Sequence, residues 1–159
     1  MRSGVRLALD LGDARIGVAA CDGAATLAFP VATVPAGEGE LDRLLALIAE
    51  YEPVEIVVGL PRSLSGDDGP AAAKIRARAS ALTTRLAAVD TPPTVRLVDE
   101  RLTTVSAARQ LREAGKSSRQ QRSRIDAAAA VAILEHALDS ERHRGFPPGE
   151  LVSAGVSTD

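Results

Sequence analysis

Residues 5–20 read VRLALDLGDARIGVAA, and this stretch decides how the fold begins. Leucines alternate with Arg6, Ala8 and Asp10, which is the two-residue period of a β-strand with one apolar face. A short turn then leads to a second apolar run at 16–21. Two such runs joined by a short turn predict an antiparallel hairpin, with Asp10 at the end of its first strand.

Beyond the hairpin, the spacing of apolar residues changes between the strand and helix periods. Three leading strands followed by alternating helices and strands predict an α/β fold, in which a mixed sheet is flanked by helices. Residues 1–145 are expected to form this domain, and residues 146–159, which contain proline and glycine, a flexible tail. The further predicted elements are strands at 27–34, 56–59 and 94–98 and helices at 41–51, 70–89, 103 or 104 to 114, and 117 or 118 to 138.

The composition excludes several classes of function. The chain has 159 residues, 45% of them apolar and 25% charged, which is typical of one soluble globular domain. A single cysteine, Cys21, and two histidines, His136 and His143, exclude an internal disulfide and a zinc cluster, so a metal would be held mainly by oxygen atoms. Aromatic residues make up 2% of the chain, too few for a base-stacking platform. No apolar run is long enough for a membrane helix and no signal peptide is evident, so we expect a cytoplasmic protein with no membrane partner.

Three acidic residues stand where packing alone does not require them. Asp10 ends the first strand, Glu100 follows the strand at 94–98, and Asp126 opens an alanine-rich helical run. Taken singly, each is consistent with a turn residue or a solvated charge. Taken together, they predict a carboxylate cluster able to hold a hard divalent cation. Neighbours on a strand face opposite sides, so only one of Asp99 and Glu100 can join Asp10, and spacing leaves open which.

A basic segment lies between two of these acids. Residues 101–124 contain seven basic residues and one acid, Glu113, a formal excess of six positive charges. A polyanion lying across this segment would bring a phosphate to the acids, as metal-dependent phosphodiester hydrolysis requires. The alternative is a solvated helix face whose arginines pair with acids elsewhere.

Four segments, in order, resemble the YqgF/RuvX family of ribonuclease H-like proteins over about residues 5–140. The segments are LDLGDARIGVA at 9–19, IVVGLP at 56–61, VDERLTT at 98–104 and IDAAA at 125–129. The resemblance implies a ribonuclease H-like fold with a five-stranded mixed sheet, its first three strands antiparallel, and helices on both faces. It also implies that Asp10, Glu100 and Asp126 are the catalytic and metal-binding residues, and so favours Glu100 over Asp99.

The same resemblance implies a metal-dependent endonuclease with one or two Mg²⁺ or Mn²⁺ ions. Its substrate would be pre-ribosomal RNA, cut at the 5′ end of the small-subunit precursor, or else branched DNA of the Holliday-junction type, and the protein would be a monomer or homodimer. The loop RSLSG at 62–66 departs from the commoner family form. The residues expected to contact nucleic acid are Arg15, Arg62, Arg101, Arg109, Arg112, Lys116, Arg119, Arg122 and Arg124.

Two other classes of function compete with the nuclease. Ala129 and Ala130 stand one turn after Asp126, so a fourth carboxylate is missing there, which favours a module that binds nucleic acid without cutting it. An Asp-x-Gly turn is also found in actin-like ATPases and sugar kinases. Those proteins clamp a nucleotide between two such domains, and 159 residues supply only one.

Overall fold

The residues that the structure describes form a six-stranded mixed sheet with helices packed on both faces. A computed structural model describes residues 2–61, 69–100 and 119–153. The strands are β1 (Arg6–Leu11), β2 (Arg15–Cys21), β3 (Ala28–Pro35), β4 (Glu55–Leu60), β5 (Thr94–Asp99) and β6 (Glu150–Val152), in the spatial order β3-β2-β1-β4-β5-β6. The helices are α1 (Glu40–Tyr51), α2 (Pro70–Leu86) and α3 (Arg119–Arg144).

The first three strands form the predicted antiparallel meander. β1 pairs with β2, and β2 pairs with β3, both antiparallel, so the hairpin prediction is confirmed. Within β1 and β2, Asp10 lies opposite Gly17. β3 is an edge strand and carries Pro30 at a register shift opposite Ala19, in agreement with the expectation of an edge or a bend.

The centre of the sheet is parallel. β4 runs parallel to β1 on one side and to β5 on the other. All six residues of β4 are buried, as expected for an apolar strand covered on both faces. Parallel neighbours end at the same edge of a sheet, so Asp10 and the residues that follow β5 lie at a common edge.

Side-chain alternation divides the core into two layers. Leu7, Leu9 and Leu11 pack against α1 and α2 on one face. On the other face, Ala8 packs against α3, which contributes alanines together with Ile133 and Leu134. Small residues on both sides of this second layer let α3 approach the sheet closely, which places the acid of β1 near the helix backbone.

The structure differs from the sequence prediction at the C-terminal end. β6 adds a sixth strand, antiparallel to β5, from residues 150–152 that were expected to be part of a flexible tail. α3 continues to Arg144, six residues beyond the predicted end. The predicted helix ending at 114 falls outside the described residues. No helix of the described segments combines the length and apolar character needed to span a membrane.

Candidate functional site

Asp10 lies in β1, on the face of the sheet that α3 covers. Its neighbour in sequence, Leu9, packs into the α1–α2 layer, so alternation turns Asp10 toward the helix on the other side. The side chain is buried, with 1% of the residue exposed. A carboxylate at this depth is costly unless charged or hydrogen-bonding groups surround it, so its surroundings decide its role.

Glu100 directly follows β5, and its side chain lies over the neighbouring strand β4. Val98 belongs to the core layer under α3, and Glu100, two residues later, returns to the same face. Its Oε2 atom stands 3.4 Å from the position that a Cβ would occupy at Gly59. Leu9 pairs with Val58, so Gly59 is next to Asp10 along the sheet. The structure therefore places Glu100, and not Asp99, on the side of Asp10.

Asp126 lies near the start of α3, against the neighbouring strand on the other side of Asp10. A Cβ at Gly17 would collide with the backbone oxygen of Asp126, so only glycine permits this approach. Since Gly17 pairs with Asp10, the helix meets the sheet beside that residue. The Asp126 carboxylate is 1% exposed, and its Oδ2 accepts a hydrogen bond from Arg15 Nε at 2.7 Å.

Three separate stretches of chain thus bring one buried acid each to the carboxyl edge of the central strands. Carboxylate oxygens are suitable ligands for Mg²⁺ or Mn²⁺, so the donor chemistry fits the expected ion. The spacing, however, does not give a preformed site: within residues 2–61, 69–100 and 126–153, no three Asp, Glu, His or Cys side chains form a group able to hold a metal.

The predicted nucleic-acid contacts divide into three groups. Arg15 belongs to the site itself, where its side chain pairs with Asp126 while remaining 28% exposed. Arg119, Arg122 and Arg124 stand in α3, on the turns that precede Asp126. The remaining predicted contacts lie outside the described residues and are Arg62, Arg101, Arg109, Arg112 and Lys116.

Sequence reasoning overlooked the two glycines that shape the site. Gly17 leaves room for the backbone of Asp126, and Gly59 leaves room for the side chain of Ile133, with Glu100 Oε2 next to it at van der Waals distance. A glycine within a strand is a recognised signal of close approach by another backbone or side chain. That signal was present in the sequence, although it does not say what approaches.

The chain is similar to curated proteins from two Streptomyces species over nearly its full length. The relative from Streptomyces coelicolor is 58% identical over 98% of this chain and 92% of its own length, and it carries the name "Putative pre-16S rRNA nuclease". A relative of the same name from Streptomyces avermitilis is 56% identical over 98% of this chain and 99% of its own.

Among solved structures, RuvC of Thermus thermophilus in complex with a Holliday junction substrate has a similar fold. Its TM-score is 0.53 at 18% identity, covering 88% of this chain and 96% of that one. This likeness confirms the ribonuclease H-like architecture expected from the sequence. The family model for RuvX, described as a Holliday junction resolvase, matches residues 4–140. With most of its length matched by that model and more than half of its residues shared with full-length relatives, the chain belongs to the RuvX family.

Proposed function

We propose that this chain is a divalent-metal-dependent endonuclease that matures the 5′ end of the 16S rRNA precursor. The observation that carries the proposal is that Asp10, Glu100 and Asp126, all buried, lie toward one edge of the sheet. Packing alone does not require three acids at this edge of the sheet. Metal-dependent hydrolysis of a phosphodiester bond does require acidic residues to hold the metal. The names of the relatives support the choice of substrate.

Asp10, Glu100 and Asp126 are the residues that would hold one or two Mg²⁺ or Mn²⁺ ions. Such an ion would supply charge neutralisation at the phosphate and a water molecule of lowered pKa. Asp10 lies between the other two, since Gly17 and Gly59 flank it on the neighbouring strands. This central position suits a carboxylate that bridges the two halves of a binding site.

Arg15 stands between the buried acids and the solvent. Its Nε atom holds Asp126, while more than a quarter of its side chain remains open to an incoming strand. A guanidinium in this place can bind a phosphate oxygen with its remaining N–H groups. Arg119, Arg122 and Arg124 belong to the same end of α3, and we propose them as further residues that bind the nucleic acid.

The test is cleavage of a 16S rRNA precursor that retains its natural 5′ leader, with the cut position mapped by sequencing RNA ends. We expect cleavage at the mature 5′ end with Mg²⁺ or Mn²⁺, and none after EDTA treatment. Restoring the metal should restore cleavage. A mature 16S rRNA fragment without the leader is the control and should stay intact. Cleavage that persists in EDTA would contradict the metal dependence.

The second candidate function is resolution of a four-way DNA junction, favoured by the description of the family model. A mobile and an immobile four-way junction, with a linear duplex of the same sequence as control, distinguish it from the RNA activity. Binding of either nucleic acid without cleavage under any metal would instead support the non-cutting module. Native mass spectrometry in the same buffers tests the expected monomer or homodimer.

A further inference from the structure

The β1–β2 turn that follows Asp10 is held from the opposite face of the sheet by Arg78 of α2. Nη1 of Arg78 donates hydrogen bonds to the carbonyl oxygens of Leu11 and Gly12, each at 3.0 Å. These two residues directly follow Asp10 in the chain. The N–H of Gly12 also bonds to the carbonyl oxygen of Asp10 at 3.0 Å, so the turn is tight. A single guanidinium therefore fixes the orientation of two successive peptide groups beside the site.

Arg78 is itself held in place by Glu40, the first residue of α1. Nε and Nη2 of Arg78 meet the two carboxylate oxygens of Glu40 at 3.1 and 3.0 Å. The N–H of Gly37 donates to the same carboxylate at 2.8 Å. Burial disfavours the charged carboxylate, but the bonds from Arg78 and Gly37 outweigh it and lower the pKa of Glu40. Arg78 and Glu40 are therefore both charged, and the bonds between them hold the guanidinium in one orientation.

Only a planar guanidinium group can bind the Glu40 carboxylate and the two carbonyl oxygens of the turn at the same time. One edge of the guanidinium binds Glu40, while Nη1 still points at the two carbonyl oxygens. A lysine ammonium is a compact charge without this geometry. Arg78 binds the backbone that follows Asp10, whereas alternation turns the carboxylate of Asp10 to the opposite face of the sheet.

The same two helices provide a matched comparison. Arg85, two turns after Arg78 on α2, pairs with Asp42 of α1 at 2.8 Å. Both of these side chains are exposed, and the pair bridges α1 and α2 without involving the turn. If joining the helices were all that mattered, the two arginines would be equivalent.

We propose that Arg78 is a positioning residue of the nuclease site, which sets the β1–β2 turn and thereby the direction of the Asp10 carboxylate. The inference rests on the proposed function. A displacement of about 1 Å in a catalytic group costs roughly a hundredfold in rate. Loss of the hydrogen bonds from Arg78 to the turn should therefore lower kcat. KM should stay nearly unchanged, because it reflects contacts elsewhere.

The experiment compares Arg78→Ala, Arg78→Lys and Arg85→Ala with the natural protein. Without substrate, amide hydrogen exchange by NMR should be about tenfold faster at Gly12 in both Arg78 variants and unchanged in Arg85→Ala. With the 16S rRNA precursor, kcat should fall about tenfold or more in both Arg78 variants, with KM within about threefold. Should Arg78→Ala fail to fold, Glu40→Gln loosens the same guanidinium and is expected to give the same two effects.

The core amide of Val57 in β4 serves as the reference for global unfolding. Equal acceleration at Gly12 and Val57 would overturn the proposal, because the effect would then be general instability. Unchanged exchange at Gly12 in Arg78→Ala would overturn it as well, as would an equal loss of kcat in Arg85→Ala. If the natural protein cleaves no precursor, the proposed function fails, and the exchange measurements still decide whether Arg78 sets the turn.

Discussion

The two ends of the central strands both bury acidic residues, but in different company. At the amino end, Glu55 and Glu141 lie among Arg2, Arg6 and Arg96, a group we call the amino-end cluster. At the carboxyl end, Asp10, Glu100 and Asp126 form the candidate site. β1 and α3 contribute a residue to each, and about 22 Å of helix separates Asp126 from Glu141.

The amino-end cluster is built for mutual compensation. Glu141 accepts hydrogen bonds from Arg2 Nη2 at 2.7 Å and from Arg6 Nη2 at 3.2 Å. Glu55 accepts bonds from Arg2 and Arg96 at 2.9 and 2.8 Å. Three guanidinium groups thus face two carboxylates, and the charges are tied into one network.

The candidate site differs in its charge. Three acids lie toward this end of the strands, and the guanidinium that reaches Asp126 belongs to Arg15, whose side chain is 28% exposed. Arg6 in the other cluster has a side chain only 2% exposed. Arg2 of the amino-end cluster is, however, 40% exposed, so the two ends differ in charge and not in access: three guanidinium groups face two carboxylates at the amino end, whereas three acids lie toward the carboxyl end.

The largest effect is expected for Asp10→Asn. The amide keeps the shape of the side chain but removes the charge that the site needs, so kcat for precursor cleavage should fall about a thousandfold, equivalent to about 4 kcal/mol. The midpoint of urea unfolding should be close to that of the natural protein. Full cleavage by this variant would refute the assignment of the site.

Glu141→Ala should have the opposite signature. Removing one partner of a buried ion pair leaves Arg6 without its compensation, so the free energy of unfolding should fall by about 3–5 kcal/mol. Cleavage measured well below the unfolding temperature should be unchanged. The measurement is urea denaturation followed by circular dichroism, with the exposed Asp139→Ala variant on the same helix as control. A loss of activity in folded Glu141→Ala would erase the distinction between the two clusters.

Acid should weaken the amino-end cluster through the same residue. Hydrogen bonds from Arg2, opposed by burial, lower the pKa of Glu141 from 4.5 to about 2. The ionised form is thus favoured by folding, and its stabilisation is complete above about pH 4.5 and lost as the pH falls toward about 2. Unfolding free energies measured between pH 6 and pH 2.5 should therefore decline less steeply in Glu141→Gln. Parallel curves for the two proteins would contradict this origin.

The smallest effect is expected for Arg15→Ala. A hydrogen bond to a charged group contributes about 1.5–3 kcal/mol, and part of this loss should appear as about a tenfold drop in kcat/KM for the precursor. Arg15→Lys keeps the charge and should recover part of the activity. Arg144→Ala, which removes an exposed arginine from the far end of α3, is the control. Unchanged cleavage and RNA binding in Arg15→Ala would exclude Arg15 from the site.

Much of the fold could be predicted because it is encoded in local periodicity. Alternation in β1 and the continuous apolar run of β4 indicated the hairpin and the buried parallel strand, and both predictions are confirmed. β6 escaped prediction, since three residues after Pro147, Pro148 and Gly149 carry no period of their own. Such a short strand forms only because β5 offers it an edge.

The candidate site could be predicted only in part. The sequence pointed to the three acids, and alternation restricted the choice between Asp99 and Glu100 without making it. Arg15 was predicted to contact nucleic acid, and its bond to Asp126 joins residues 111 positions apart. No local sequence pattern predicts a bond between residues so far apart in the chain. Arg78 likewise resembled any other arginine on the polar side of a helix.

The order and type of the main elements, and which residues of each strand share a face, follow from the amino-acid sequence without the folded structure. Those properties depend on neighbours a few positions apart, whose spacing fixes strand or helix geometry. Three contacts arise only in the folded protein: Asp126 binds Arg15, Glu100 lies over Gly59, and Arg78 donates hydrogen bonds to the turn after Asp10. These contacts depend on how closely α2 and α3 pack on the sheet, which the whole core determines.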